Sequence, residues 1–468
     1  CDGDAFKLTN SLVKKSLIAT TQGARRMMRY RFHEFVRQYT HEKLVEADNE
    51  RGVRTRHLNY FLQLSSQAEL ALNGSSQVEW DEHLNKEYDN IRTALDWAEK
   101  TNIEAGMFIA GRLWRFWEDF DLREGEDWLA SFLENPASNA FPIARAKALF
   151  AYGIISHLTL QKPALRKTAE ECLAIYSAAG DKQGEIDGLL LLGRFMWISQ
   201  KFERADELYQ QALHMAEELG DKWRMASVFT HLGWMNNKNL LQLTRYWNEA
   251  IALSREIGDL RGLIDQLEAL GHAEVLHGDF ESAQRHLDEA YQLSKKLKSR
   301  RGLGKIMRSL SLIETHNSNY KKANLFLDKA LNITLELGHR MYYLSNRVYL
   351  GHLSVQQENF NQARTVLTET IQEFMKDGIE VWVLLSLEGM ADLFARTGQT
   401  ESATRLIGFT DMARERSSEP REPIFQTNVD KVISAVKEKI DSSIFDLAYD
   451  SGREMTLNEA VSFALNEE

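Results

Sequence analysis

The chain has 468 residues, with 57 Lys and Arg against 68 Asp and Glu, a formal net charge of −11, 43% hydrophobic and 27% charged residues, and 5 Pro. That balance is globular rather than disordered, and the acidic excess argues against a global nucleic-acid binder. No apolar run approaches the roughly 18 residues of a membrane span, and two cysteines, Cys1 and Cys172, cannot build a disulfide framework or zinc cluster, so a reducing cytoplasm is expected.

The chain opens on Cys1 rather than Met, which suggests a piece of something longer; a lipidated leading cysteine is the lesser alternative. The prolines stand at 136, 142, 163, 420 and 423, leaving 164–419 free of them. Proline breaks helices, so this span predicts uninterrupted helix-turn-helix packing. A small residue recurs at Gly111, Gly153, Gly193, Gly233, Gly271, Ser311, Gly351 and Gly389, in steps of 42, 40, 40, 38, 40, 40 and 38. A second series runs Ala130, Cys172, Ala212, Ala250, Ala290, Ala330 and Thr370. Comparing the two registers puts a two-residue deletion near 234–249, expected as a tightened turn.

Each unit reads as two helices. Ala205, Tyr209, Ala212 and Ala216 follow the i, i+4, i+7, i+11 pattern of a buried stripe, and Ala283, Leu287 and Ala290 repeat it. The units end in pairs such as Gly220-Asp221 and Gly258-Asp259. Glycine suits a left-handed C-terminal cap, and Asp can accept the amides opening the next helix. The predicted fold is all-α: a solenoid of seven or eight helical hairpins with a period of about 40 residues. Beyond it, Ser417–Pro423 reads as a loop, and Phe425–Lys439 and Asn458–Leu465 as helices that cap the last apolar face.

Units such as Leu192-Gly193 through Phe202, Ala205, Tyr209 and Ala212 resemble tetratricopeptide repeats, though longer than the usual form. The wider sequence resembles bacterial signal-transduction ATPases of the STAND, NB-ARC-like class. Arg29-Tyr30-Arg31-Phe32-His33-Glu34-Phe35-Val36-Arg37-Gln38-Tyr39, Glu87-Tyr88-Asp89-Asn90-Ile91-Arg92, Leu113-Trp114-Arg115-Phe116-Trp117 and Gly452-Arg453-Glu454-Met455-Thr456-Leu457 carry that likeness in the family's order. The resemblance implies a partial winged-helix module over 1–46, with Ala5–Val13 as its last helix and Ser16–Thr20 paired with Met28–Phe32 as its hairpin. It implies further a helical linker with capping hairpins over 47–140, the superhelix over 141–415 and a helical cap over 416–468. The implied role is sensing of a ligand or protein partner for an upstream nucleotide-dependent switch, with transcription as the favoured output; a constitutive interaction scaffold is the alternative.

Chemistry-bearing motifs are few. No G-x-x-x-x-G-K-[ST] is present, and Gly302-Leu303-Gly304-Lys305 is too short to cradle phosphates. HExxH, G-x-S-x-G and Cys-x-x-Cys are absent, and His272 and His277 stand five apart, off the shared face that i, i+4 ligands need. The expectation is a non-enzyme with no cofactor and no metal.

Between residues 5 and 33, Lys7, Lys14, Lys15, Arg25, Arg26, Arg29 and Arg31 occur with no Asp or Glu. DNA contact and intramolecular docking on the acidic remainder are the two readings, docking being favoured. In a helical-hairpin superhelix the first helix of each repeat lines the concave face. Positions three before and one, four or five after the register glycine select His157, Arg194, Trp197, Thr230, Trp234, Asn237, Glu268, His272, Arg308, Thr315, His352 and Phe394. Trp and Arg beside polar groups suit a peptide or a polar small-molecule effector. Arg308→Glu or Trp234→Ala is expected to abolish response without unfolding the domain.

Overall fold

The computed structural model describes residues 3–22, 28–160, 162–236, 239–417 and 420–466. Helix α1 (Gly3–Lys14) leads into an antiparallel hairpin of β1 (Ile18–Gln22) and β2 (Met28–Phe32), paired from Ile18 with Phe32 to Gln22 with Met28. The first strand starts two residues later than expected, because Ser16 turns the chain with φ +56°. Helix α2 (Glu34–Glu46) follows and buries no residue.

A helical block comes next: α3 (Glu50–Ala71), α4 (Gln77–Thr101), α5 (Ile103–Arg112), α6 (Trp114–Phe120) and α7 (Leu122–Glu134). Seven hairpins then repeat. They are α8 (Pro142–Thr159) with α9 (Lys162–Ala179), α10 (Lys182–Ile198) with α11 (Phe202–Leu219), and α12 (Lys222–Met235) with α13 (Leu240–Ile257). The series continues with α14 (Leu260–His277) and α15 (Phe280–Leu297), α16 (Arg300–His316) and α17 (Tyr320–Glu336), α18 (Arg340–Gln356) and α19 (Phe360–Asp377), and α20 (Glu380–Arg396) and α21 (Thr400–Ser417). The cap holds α22 (Pro423–Lys437), α23 (Ser442–Arg453) and α24 (Leu457–Asn466). Among these, α23 lies where the sequence predicts no helix.

Steric pairing explains the small-residue register. A Cβ on Gly193 would lie 2.5 Å from the Tyr209 ring, and one on Gly233 would lie 2.4 Å from Trp247. Gly193, Gly233, Gly271 and Gly351 each admit one bulky side chain from the second helix of their own hairpin, and Tyr209 and Trp247 are fully buried there. The turns between hairpins follow their expected chemistry. Gly220 and Gly258 adopt φ +64° and +76°, and Asp221 and Asp259 accept from the Arg224 and Gly262 amides at 3.0 and 2.9 Å.

The turn expected to be tightened by the two-residue deletion includes 237 and 238, outside the described residues, and within them the deletion is seen at the helix before it. It shortens α12, which has 14 residues where its counterparts α10 and α14 have 17 and 18. A helix end is held by one or two hydrogen bonds, so losing part of its last turn disturbs less than straining a connection.

The solenoid also closes on itself. The amino ends of α14, α16 and α18 meet the helical block through three cap residues spaced one repeat apart. Asp259 accepts from Arg115 at 3.1 and 3.2 Å and from Gln77 at 2.6 Å. Ser299 Oγ donates to Asp119 at 2.9 Å, and His339 Nε2 donates to the Glu118 carbonyl at 3.0 Å. Arg261 bridges Asp119 at 3.0 Å and Asp81 at 2.8 Å. One turn of α6 thus closes three consecutive repeats into a ring.

Candidate functional site

The closed superhelix encloses a channel of about 820 Å³ lined from α6 through the first helices of the repeats to α22. First helices face inward because the second helices, each with its bulky residue seated in a register gap, occupy the outer layer. Arg194, Trp197, Thr230, Trp234, His272, Arg308 and His157 all line this channel.

The other selected positions lie elsewhere. Glu268 is fully buried behind the wall. Thr315 bonds back to the Ser311 carbonyl at 2.8 Å and is not part of the lining, and Phe394 is fully buried in the core. His352 is covered by Phe425 of α22 at 5.7 Å between rings, and its Nε2 bonds the Leu385 carbonyl at 2.9 Å. Glu268, Thr315, His352 and Phe394 are therefore corrected as channel residues: Glu268 is engaged by Lys305 and Arg308 behind the wall, Thr315 bonds its own helix, Phe394 belongs to the core, and Phe425 of α22 covers His352. Asn237 lies outside the described residues.

A ladder of buried charges forms one wall. Asp265 of α14 meets Arg301 at 2.7 Å and Lys305 at 3.1 Å; Glu268 meets Lys305 at 3.0 Å and Arg308 at 3.2 Å. Burial works to raise the Glu268 carboxyl, but Lys305 and Arg308 outweigh it and hold it down at about 2. Asp265–Lys305 and Glu268–Arg308 are each separated by 40 residues, one period. Opposite charges one period apart were a readable signal for stacked partners. They also correct the expected behaviour of Arg308→Glu: a carboxylate facing buried Glu268 would unfold this wall rather than leave the domain intact.

Aromatic groups make the remaining walls. Trp234 packs edge-on against Trp247 at 5.2 Å while lining the channel, and Trp223 donates to Asp259 at 3.1 Å. Trp114 lines the channel while packing on Phe150 at 5.8 Å between rings, whereas Trp117 is fully buried and donates to the Ala110 carbonyl at 3.1 Å. Sequence reasoning missed Arg115, Trp223 and Asp259, whose place depends on ring closure.

His272 and His277 both line the channel, but His272 Nδ1 contacts Ser309 Oγ at 3.0 Å and His277 Nδ1 bonds the Ala273 carbonyl at 2.9 Å. Among the described residues no group of three or more His, Cys, Asp or Glu is placed to hold a metal ion. No helix among them is long and apolar enough to cross a membrane. In the basic segment, Lys14, Lys15 and Arg31 are exposed and make no ion pair among the described residues. Arg25 and Arg26 fall outside the described residues, as does the side chain of Arg29.

Among the histidines of this region that burial depresses, His272, with Arg308 beside it, falls to about 3, and His339, with Arg301 beside it, to about 4. A depressed histidine stays neutral in the native state but protonates in the unfolded chain below about 6.5, so its stabilising effect is present above that pH and lost below it. Each is expected to remove roughly 2 kcal/mol of stability by pH 5. Urea unfolding at pH 7.5 and pH 5 checks this: the midpoint should fall, and a midpoint unchanged over that interval overturns the assignment.

No protein-family model matches the chain. A stretch of 239 residues, 48% of this chain, is 27% identical to the "Putative HTH-type transcriptional regulator Rv0890c" of Mycobacterium tuberculosis, of which it covers 26%. The chain thus spans about a quarter of the length of the curated relatives it matches. Among solved structures, a Rap protein complexed with Competence and Sporulation Factor superposes with a TM-score of 0.51 at 11% identity, over 69% of this chain and 99% of that one. A STAND protein with a tetratricopeptide repeat sensor from Pyrococcus horikoshii gives 0.40 at 16% identity, over 95% of this chain and 60% of that one. The helical-repeat solenoid is the shared fold.

Proposed function

We propose that this chain is a sensor domain: a ring-closed repeat superhelix that takes a small ligand into its channel and relays occupancy through the closure contacts. The observation that carries the reading is a coincidence of roles. Arg115, Trp223 and Asp259 line the channel and also hold the ring shut. A ligand touching them has different contacts in the open and closed forms, and such a difference is what a conformational equilibrium requires before a ligand can shift it.

Binding, rather than catalysis, fits a wall whose charges are spent on one another. The Rap structure of the same fold is a complex with Competence and Sporulation Factor, which supports a ligand in the groove here. In this reading the output is regulation of a nucleotide-dependent switch in a longer signalling protein, transcription being the favoured target. The curated relative's name supports that direction. The exposed basic segment with Lys14, Lys15 and Arg31 is assigned to docking against a neighbouring module.

Heat-released filtrate of the purified chain, analysed by mass spectrometry, tests the reading. A low-mass compound should be present, and adding it back should slow amide exchange at 259–261 and in α6. Absence of any such compound, or exchange that slows only outside the closure, would sink the sensor.

A further inference from the structure

Among the described residues, Glu118 and Arg194 are buried or partly buried charged groups of the channel that make no ion pair. Glu118 on α6 is 7% exposed and lines the channel, yet its carboxylate accepts no hydrogen bond and makes no ion pair among the described residues. The cations nearest to it in the electrostatics are already engaged: Arg115 with Asp259 at 3.1 Å and Arg301 with Asp265 at 2.7 Å. Asp119 and Asp265, also close, add repulsion rather than relief. Burial pushes the Glu118 carboxyl above its ordinary range, so holding it charged in this place is costly unless a cation from outside the chain supplies a partner.

The complementary group is Arg194 on α10. It is partly buried in the channel wall and makes no ion pair or hydrogen bond among the described residues. Its neighbours are neutral. His231 Nδ1 bonds the Ser227 carbonyl at 2.7 Å, and burial together with Arg194 itself lowers that histidine to about 4. Tyr209, also beside Arg194, stays a neutral phenol because burial raises it. The other cations that line this channel and have been described above are matched to carboxylates; Arg194 is not.

We propose that the channel binds an amphoteric molecule of short-peptide size, with its ammonium against Glu118, its carboxylate against Arg194, and its apolar body along Trp197 and Trp234. This rests on the sensor reading and gives it a ligand class. A cavity of about 820 Å³ lies within the roughly 300–1,000 Å³ range that encloses a small ligand. A ligand charged at one end only would leave either Glu118 or Arg194 unpaired inside the channel, and such groups are expensive to strand. The two residues therefore act together as a filter for doubly charged ligands.

The test is affinity selection with mass spectrometry on the whole chain. The probe is an equimolar pool of tetra- and pentapeptides with free ends, mixed with N-acetylated, C-amidated and doubly blocked counterparts, and with free tryptophan, phenylalanine and leucine. Peptides with both ends free should be retained at least tenfold over either singly blocked form. Glu118→Gln should abolish the preference for a free amino terminus while keeping that for a free carboxylate, and Arg194→Gln should do the reverse. Retention of the single amino acids instead would place the ligand among free amino acids with the same charge pairing. Peptides retained regardless of blocking would overturn the charge-pair inference and leave the sensor reading standing. A chain that retains nothing, while unfolding cooperatively, overturns the amphoteric-ligand inference, and the sensor reading then stands or falls on the heat-released filtrate. Circular dichroism melts of the two variants separate lost binding from lost folding, and the reciprocal loss of preferences is a readout that a merely unfolded wall cannot produce.

Discussion

Replacing Asp259 by Ala is expected to cost about 3–5 kcal/mol and to open the ring. Asp259 is 3% exposed and its carboxylate accepts hydrogen bonds from Arg115, Gln77, Trp223 and the Gly262 amide. Removing it leaves the Arg115 guanidinium, itself buried, without a counter-charge, and stranding one partner of a buried pair costs more than the pair contributes. It also removes the amino-terminal cap of α14, worth about 1 kcal/mol by itself. Asp259→Asn separates these effects, since an amide oxygen can still cap while the charge is gone; it should recover roughly the capping share. Urea unfolding measures the cost and small-angle scattering the opening, with a larger radius of gyration expected for Asp259→Ala. A loss below about 1 kcal/mol with unchanged scattering would show that the closure is incidental.

Gly452→Ala is the second large effect, expected at about 3 kcal/mol or more. Helices α21 and α23 cross with backbone against backbone. A Cβ on Gly452 would lie 2.0 Å from the Arg405 carbonyl oxygen, and one on Gly408 would lie 2.2 Å from the Tyr449 carbonyl oxygen. Neither obstacle is a flexible side chain, so α23 must retreat. That retreat breaks the Tyr449–Asp411 hydrogen bond at 2.6 Å and the bidentate Arg453–Glu415 pair at 2.5 and 3.0 Å. The cap would then uncover the apolar face of the last hairpin. Gly408→Ala should behave alike, and the double variant should cost less than the sum, because one displacement relieves both clashes. Denaturant unfolding of the three variants decides it; additive costs would mean that the two glycines do not share one crossing.

Much of this molecule was legible in its sequence because its contacts are local or periodic. Gly233 and Trp247 meet across a single hairpin, and the pairing follows from helical pitch and residue size. Asp265–Lys305 and Glu268–Arg308 meet because equivalent positions of adjacent repeats stack. The inward positions His157, Arg194, Trp197, Thr230, Trp234, His272 and Arg308 were readable for the same reason. The rule failed at Glu268, Thr315, His352 and Phe394, where salt bridges behind the wall, a bond within one helix, the α22 cap and the core decide instead. The basic segment was visible as a charge run, but nothing in the run specifies what it docks against.

What the sequence determined by itself is the repeating unit: two helices per 40 residues, a small residue opposite a bulky one, and Gly-Asp joints. Each is set by interactions within one hairpin or between neighbours, so each leaves a periodic trace. The channel was decided only in three dimensions. Arg261 reaches Asp119 across 142 residues, and His339 reaches Glu118 across 221. Those meetings depend on the summed rotation of successive repeat interfaces, to which every interface adds a little and none adds a motif. For that reason Glu118 and Arg194, both without an ion-pair partner among the described residues, share one space that no spacing in the chain announces.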